Sequence, residues 1–263
     1  MAIAKNSSGI KILCFDIELC PIEAYVWSLW DQNIGLNQIK VDSSVLSFAA
    51  KWVGDKKSEM VYADTFLQKN QRDDKAIIQK LWKLFDEADI ILGQNSDSFD
   101  IKIANARFLQ HGLPPPRPYI TIDTKKMAKS AFRFTSNKLE YMSDKLCTKY
   151  KKYSHKKFPG MSLWTEFLAR NPEAQREMRV YNEFDVLSTE ELYLLFRPWY
   201  KNHPNINLHK AERDLHHSCP SCGSKNLQRR GERHTLSQSF ARFQCNDCHS
   251  WSSAGIKGLT RAK

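Results

Sequence analysis

Residues 10–18 read Ile-Lys-Ile-Leu-Cys-Phe-Asp-Ile-Glu. Ile10–Ile17 is a short apolar run of β-branched and aromatic residues, the pattern of a buried strand. Asp16 and Glu18 stand two residues apart at its end. Such a spacing on a strand points both side chains to one face. Like charges crowded at the end of a sheet are unfavourable unless water or a cation neutralises them. The pair therefore reads either as a divalent-metal site or as a solvated strand-to-loop boundary.

Outward from this run, Val45–Val53 and Glu59–Ala63 read as two more strands, separated by Gly54-Asp55-Lys56-Lys57. Asp73–Ala88 carries a helical stripe of Ile77, Ile78, Leu81, Leu84, Phe85 and Ala88. Asp73 and Asp74 fall at its positive N-terminal end. A strand over Asp89–Leu92 leads to a helix from about Phe99 to His111, which Gly112 and three prolines end. Tyr119–Ile122 is a further strand, and helices dominate from Thr124 to about Tyr200. Asn171-Pro172 is a helix start, with Asn as cap and Pro at the first position, and the helix runs through Leu195. This order predicts an α/β fold with one mixed sheet flanked by helices. Leu19–Ser44, holding Pro21, Trp27 and Trp30, reads as an added hairpin or a packed loop.

Two further acidic positions follow apolar segments. Gly93-Gln94-Asn95-Ser96-Asp97-Ser98-Phe99-Asp100 is a turn into a helix, where Asp97 and Asp100 fit an N-cap and a first-turn carboxylate as well as a site. Tyr181 and Asp185 are four apart on the last helix and project from one face. Val180, Phe184, Leu187 and Leu192 supply its packing stripe.

Phe15-Asp16-Ile17-Glu18, then Asn95-x-x-x-Phe99-Asp100, then Tyr181-x-x-x-Asp185 together resemble the three Exo motifs of the DEDD 3′–5′ exonucleases, which have an RNase H-like fold. Tyr181 makes the set similar to the subclass that includes the proofreading domains of family B DNA polymerases. The resemblance covers about residues 10–200, and Ile122-Asp123-Thr124 and Ser136–Tyr141 look like the strand and helix between the second and third motifs. Gly93-Gln94-Asn95 departs from the Gly-His-Asn of many relatives and leaves the carboxylates untouched. The resemblance implies two Mg2+ or Mn2+ ions. Asp16 would bridge both, Glu18 and Asp185 would complete one site, and Asp100 would support the other. Tyr181 would orient the attacking water. Hard oxygen ligands suit these ions rather than zinc. Asn95 and Phe99 would reach the terminal nucleotide, Phe99 by stacking on a base; the other reading of Phe99 is a core anchor. No polymerase palm or fingers fit in the remaining chain, so a stand-alone nuclease is expected.

Cys219, Cys222, Cys245 and Cys248 give C-x2-C, 22 intervening residues, and C-x2-C. Two such knuckles match one structural Zn2+, with disulfides as the competing reading. Gly223 permits the knuckle turn, and His216, His217 and His249 are near enough to be considered as ligands. The pattern resembles a zinc ribbon, with Arg242–Cys245 as a strand and Trp251 packing behind it. A segment of about 45 residues needs the metal to fold. Arg229, Arg230, Arg233 and Arg242, with Phe240 and Phe243, form a phosphate-and-base surface or a hairpin that docks onto a protein. Lys145–Lys157 holds six lysines with Tyr150 and Tyr153 between them, either a phosphate-tracking loop or a solvated one.

Charge divides the chain in the same way. Residues 1–200 hold 29 basic and 25 acidic residues, a net of +4, while residues 201–263 hold 11 and 4, a net of +7. The expected organisation is an RNase H-like exonuclease domain over residues 1–200, a linker over 201–217 and a zinc ribbon over 218–263. No run approaches the roughly 20 apolar residues of a membrane helix, and the start lacks the apolar core of a secretory signal. These features predict no membrane partner and a cytoplasmic setting. The expected activity is metal-dependent 3′–5′ hydrolysis of DNA, in preference to RNA, at single-stranded or frayed ends, releasing nucleoside 5′-monophosphates. The ribbon would hold nucleic acid or recruit a replication or repair protein. The alternatives are an RNA-directed or structure-specific RNase H-like nuclease, and a non-catalytic nucleic-acid-binding or partner-recruiting zinc-ribbon protein.

Overall fold

The computed structural model describes residues 9–209 and 218–255. Its first strands are β1 (Ile12–Leu19), β2 (Glu23–Ala24), β3 (Ile39–Val41), β4 (Val45–Trp52), β5 (Val61–Asp64), β6 (Ile90–Gly93) and β7 (Ile120–Asp123). Five of them form one mixed sheet in the order β5-β4-β1-β6-β7. β1 pairs antiparallel with β4 and parallel with β6, so it lies at the centre. The strand runs past its expected end at Ile17, which puts Glu18 inside it.

Period-two alternation decides what each face of β1 meets. Leu13, Phe15 and Ile17 pack under α1 (Lys75–Glu87) and α2 (Asp100–Gln110), where the Phe15 and Phe85 rings meet edge-on at 4.9 Å. Ile12 and Cys14 face the other way, toward α3 (Thr124–Ala131), α4 (Leu139–Leu146) and the long α6 (Pro172–Phe196). Asp16 follows them on that second face. The short α5 (Ser162–Leu168) packs Leu163 and Phe167 with Met178 around Leu46 of β4.

α6 begins as its sequence dictates, with the Asn171 side chain accepting from Glu173 N at 2.9 Å and Pro172 in the first turn. Its middle, from Asp185 to Glu190, is buried on every side. Polar groups there must be paired. Glu190 meets Lys51 of β4 at 2.6 Å, with both side chains under 8% exposed, and also accepts from Gly54 N at 2.9 Å.

Several expectations need correction. α1 starts at Lys75, two residues later than expected, with Asp74 at its N-cap position as the sequence suggested. Asp74 is fully buried, accepting from Val45 N at 2.8 Å and Arg107 Nε at 2.7 Å, with His111 Nε2 at 2.6 Å. Burial alone would raise its pKa, but these hydrogen bonds outweigh burial and hold the carboxyl below its ordinary value. Leu19–Ser44 is a small hairpin of β2 and β3 rather than a packed loop. Its tip leaves Trp27 96% and Trp30 82% exposed.

The C-terminal strands β8 (Leu227–His234), β9 (Ser239–Cys245) and β10 (Trp251–Gly255) form a second, antiparallel sheet in the order β10-β9-β8. Trp251 does not pack behind it. It lies on an edge strand, 47% exposed, with the Arg242 guanidinium 5.0 Å from its ring centre, because so thin a sheet has no second layer to bury it. The segment expected as a linker contains a short 3-10 helix at Ile206–His209 that is tied to the first cysteine knuckle. Ile206 N donates to Pro220 O at 2.9 Å, and Asn207 Nδ2 donates to Cys219 O at 3.1 Å. Residues 210–217, with His216 and His217, lie outside the described residues. Among those described, no helix is long and apolar enough to cross a membrane.

Removing one partner of the Lys51–Glu190 pair strands a buried charge. Lys51→Met should cost about 3–5 kcal/mol by urea denaturation, and Lys51→Met combined with Glu190→Leu should recover most of it.

Candidate active site

Asp16 and Glu18 of β1 and Asp185 of α6 bring carboxylate oxygens within 4.8 Å of one another. The sheet makes room for this. Asp16 faces Ala49 and Glu18 faces Ser47 in the β1–β4 register, so small side chains stand beside the acids and α6 settles close. Tyr181 lies one helical turn before Asp185 on α6.

Asp100, the first residue of α2, is buried beside this group rather than within it. Its Oδ1 accepts from Ile17 N at 3.4 Å, and its charge helps to raise the pKa of Asp16. The turn before it is held by Asp123, which accepts from Asn95 N at 3.0 Å and Lys125 N at 2.9 Å. Asn95 adopts a left-handed φ of +62°, and its side chain accepts from Lys125 Nζ at 3.1 Å. Asp97 is not a helix cap. Its carboxylate pairs with Lys126 at 2.7 Å, and the cap position belongs to Phe99. Phe99 is 45% exposed, which removes the core-anchor reading.

Two residues near the acids were not singled out by the sequence. Asn182 is fully buried between Tyr181 and Asp185. Lys152 comes from the lysine-rich stretch and pairs its ammonium with Asp185 Oδ2, 4.5 Å from the Tyr181 ring centre. Its backbone is anchored from both sides. Lys152 N donates to Ser143 Oγ at 3.1 Å, while Glu191 of α6 accepts from Thr148 N and Tyr150 N at 2.7 and 2.9 Å. Other lysines of the stretch are paired at the surface, Lys151 with Asp144 and Lys157 with Glu173. Lys152, Tyr153, His155, Lys156 and Tyr181 line a cleft of about 380 Å³. The His155 and Trp164 rings meet Tyr181 edge-on at 5.0 and 6.0 Å.

Burial followed by mutual repulsion governs the titration of these groups. Glu18 is pushed up to about 8 by burial first and then by Asp185. Burial takes Asp100 to about 7. Asp16 rises well above its ordinary value through burial and then Asp185, Asp100 and Glu18. Asp185 is raised by burial against the pull of Lys152. Burial also pushes the Tyr181 phenol up to about 12, helped by Asp185 and Glu18. Lys152 is lowered by burial, but Asp185 and Tyr181 outweigh that and leave it above its ordinary value.

The donor set fits a hard divalent cation. All its ligand atoms are carboxylate oxygens, and Asp185 Oδ1 is buried without a hydrogen-bond partner. In the ribbon, the four cysteine sulfurs also converge within 4.8 Å, with Cys219–Cys248 and Cys222–Cys245 each at 3.6 Å. Zinc bonds of about 2.3 Å in a tetrahedron place sulfurs about 3.8 Å apart, whereas a disulfide needs about 2.05 Å. Gly223 takes a φ of +75°, and its N–H donates to Cys219 O at 2.8 Å, closing the knuckle. His249 is exposed and outside the sulfur group. Arg229, Arg230, Arg233 and Arg242 are all exposed, although Arg229 is paired with Glu232 at 3.3 Å.

A central mixed sheet with half-buried acids on its central strand and a buried one on the helix crossing it defines an RNase H-like architecture. A family model of the RNase H superfamily matches residues 35–197, and the chain belongs to that superfamily. A family B DNA polymerase from the hyperthermophilic archaeon Pyrobaculum calidifontis superposes with a TM-score of 0.51 at 15% identity. The match covers 73% of this chain but only 26% of the polymerase chain, and at that identity the likeness is one of fold. No curated protein matches the sequence.

Glu18 and Asp100 bind protons more tightly when folded, at about 8 and 7, than at their ordinary 4.5 and 3.8. The folded state then holds the extra protons, so stability is lost as pH rises across that window. In zinc-loaded protein free of Mg2+ and Mn2+ the melting temperature should fall between pH 5 and pH 8. Mn2+ should restore it more at the higher pH, and Glu18→Gln should flatten the dependence.

Proposed function

We propose that this chain is a divalent-metal-dependent 3′–5′ exonuclease that hydrolyses DNA from single-stranded or frayed 3′ ends and releases nucleoside 5′-monophosphates. The observation that carries the reading is the convergence of Asp16, Glu18 and Asp185, with Asp100 beside them and Tyr181 one turn from Asp185. The reading is supported by motifs that resemble those of family B polymerase exonuclease domains and by a fold similar to that of a family B DNA polymerase.

Asp16, Glu18, Asp100 and Asp185 would hold two Mg2+ or Mn2+ ions. When bound, such ions lower the pKa of an attacking water and stabilise the leaving 3′ oxygen. Tyr181 keeps its proton at neutral pH because its pKa is near 12, so it orients a water or a phosphate oxygen by hydrogen bonding and does not act as the base. Lys152 neutralises Asp185 between turnovers and stands at the edge of the cleft, where a scissile phosphate would offer it a second anion. Phe99 is free to stack on a terminal base, and Asn95 borders the same turn.

We assign residues 1–200 to the nuclease domain, 201–217 to a linker and 218–263 to a zinc ribbon. The ribbon's exposed Arg229, Arg230, Arg233 and Arg242 would hold the strand through its phosphates. Cys14, Cys20 and Cys147 are buried free thiols, which suits a reducing, cytoplasmic setting.

The test uses 5′-labelled single-stranded DNA and RNA of one sequence with Mg2+ or Mn2+. A ladder shortening from the 3′ end is expected, with DNA cut faster than RNA. Asp16→Ala should slow it by about a thousandfold or more. Cys245→Ser should weaken DNA affinity more than the rate at saturating DNA. Initial cuts at internal positions, or faster loss of RNA, would replace exonuclease action on DNA by another RNase H-like specificity. Binding without cleavage would leave a non-catalytic protein.

A further inference from the structure

Asn182 makes contacts that a space-filling residue would not. It lies on α6 three residues before Asp185, on the same side of the helix, and none of it reaches solvent. Burying an amide is costly unless each of its polar atoms finds a partner. Its Nδ2 donates to Asp16 Oδ2 at 2.7 Å and to Asp16 O at 3.2 Å. Its Oδ1 accepts from Ser47 Oγ at 3.3 Å, and Ser47 is equally buried, opposite Glu18 in the sheet register.

Chemistry fixes which way the amide faces. Both groups of Asp16 accept hydrogen bonds, so the NH2 must meet them. The carbonyl is left for the one neighbour with a proton to give, the Ser47 hydroxyl. Oδ2 of Asp16 is thereby held by a donor. A carboxylate that must serve a cation needs its plane and rotamer held, and groups behind the ligands do this in metal sites generally.

We propose that Asn182 is a positioning residue that holds the Asp16 carboxylate toward Glu18 and Asp185, that Ser47 holds Asn182 in turn, and that this relay sets the affinity of the acidic site for a divalent cation. The inference rests on the metal-binding reading given above and names the residues that tune it. Leucine at position 182 would fill nearly the same volume and keep α6 packed, yet it would lose both bonds to Asp16.

Mn2+ titration of the zinc-loaded full chain by calorimetry tests this without reference to turnover. Asn182→Leu should weaken Mn2+ binding about 10- to 100-fold, and Ser47→Ala should weaken it less, in the same direction. Cleavage by Asn182→Leu should then need more Mn2+, while its KM for DNA stays at the wild-type value. A folded Asn182→Leu with wild-type Mn2+ affinity overturns the proposal. Should that variant fail to fold, unchanged affinity in Ser47→Ala overturns it instead. Absence of Mn2+ uptake by the wild type overturns the metal reading and the relay with it, whereas equal uptake by wild type and Asn182→Leu overturns the relay alone.

Discussion

Three carboxylates held within 4.8 Å of one another in a half-buried place repel, and much of the molecule is arranged to withstand that repulsion. Asp16 and Glu18 are committed to one face by the pleat of β1, so the third acid can only arrive on whatever covers that face. α6 is that cover. Its packing against β1 and β4 is what brings the charges together, and any loosening of the helix would let them separate.

The bonds along α6 fit this demand. Asn182 ties it to Asp16 and Ser47, Glu190 ties it to Lys51 at the far end of β4, and Glu191 gathers the loop that delivers Lys152. Each is a polar group that an apolar residue could replace with little loss of packing. Together they resist sliding of the helix over the sheet, a motion that hydrophobic contacts alone oppose weakly because they have no direction. Small residues contribute as well, since Ala49 and Ser47 allow the close approach that larger side chains would prevent.

How much of this could be read beforehand follows from range. The alternation in residues 10–18, the Tyr181–Asp185 spacing and the paired cysteines are local patterns. Each survives in the structure because strand, helix and knuckle geometry depend on neighbours in sequence. Lys152 and Asp185 are 33 residues apart, and nothing in a run of six lysines marks which one turns inward. Asn182 stood on a helix whose apolar stripe was legible, but a single amide beside a Tyr is silent until the strand opposite is known. The place of Asp74 at the start of α1 was legible, but its partners were not. Arg107 and His111, which pair with it, stand at the end of α2, more than thirty residues away. Trp251 failed differently, because a lone thin sheet offers an aromatic ring no interior.

The hydrogen bonds from Ile206 and Asn207 to the first knuckle join the chain leaving α6 to the loop that carries Cys219. Local openings in proteins follow such shared contacts. Opening of the first cysteine knuckle would therefore be felt at the end of α6, the helix that carries Asp185.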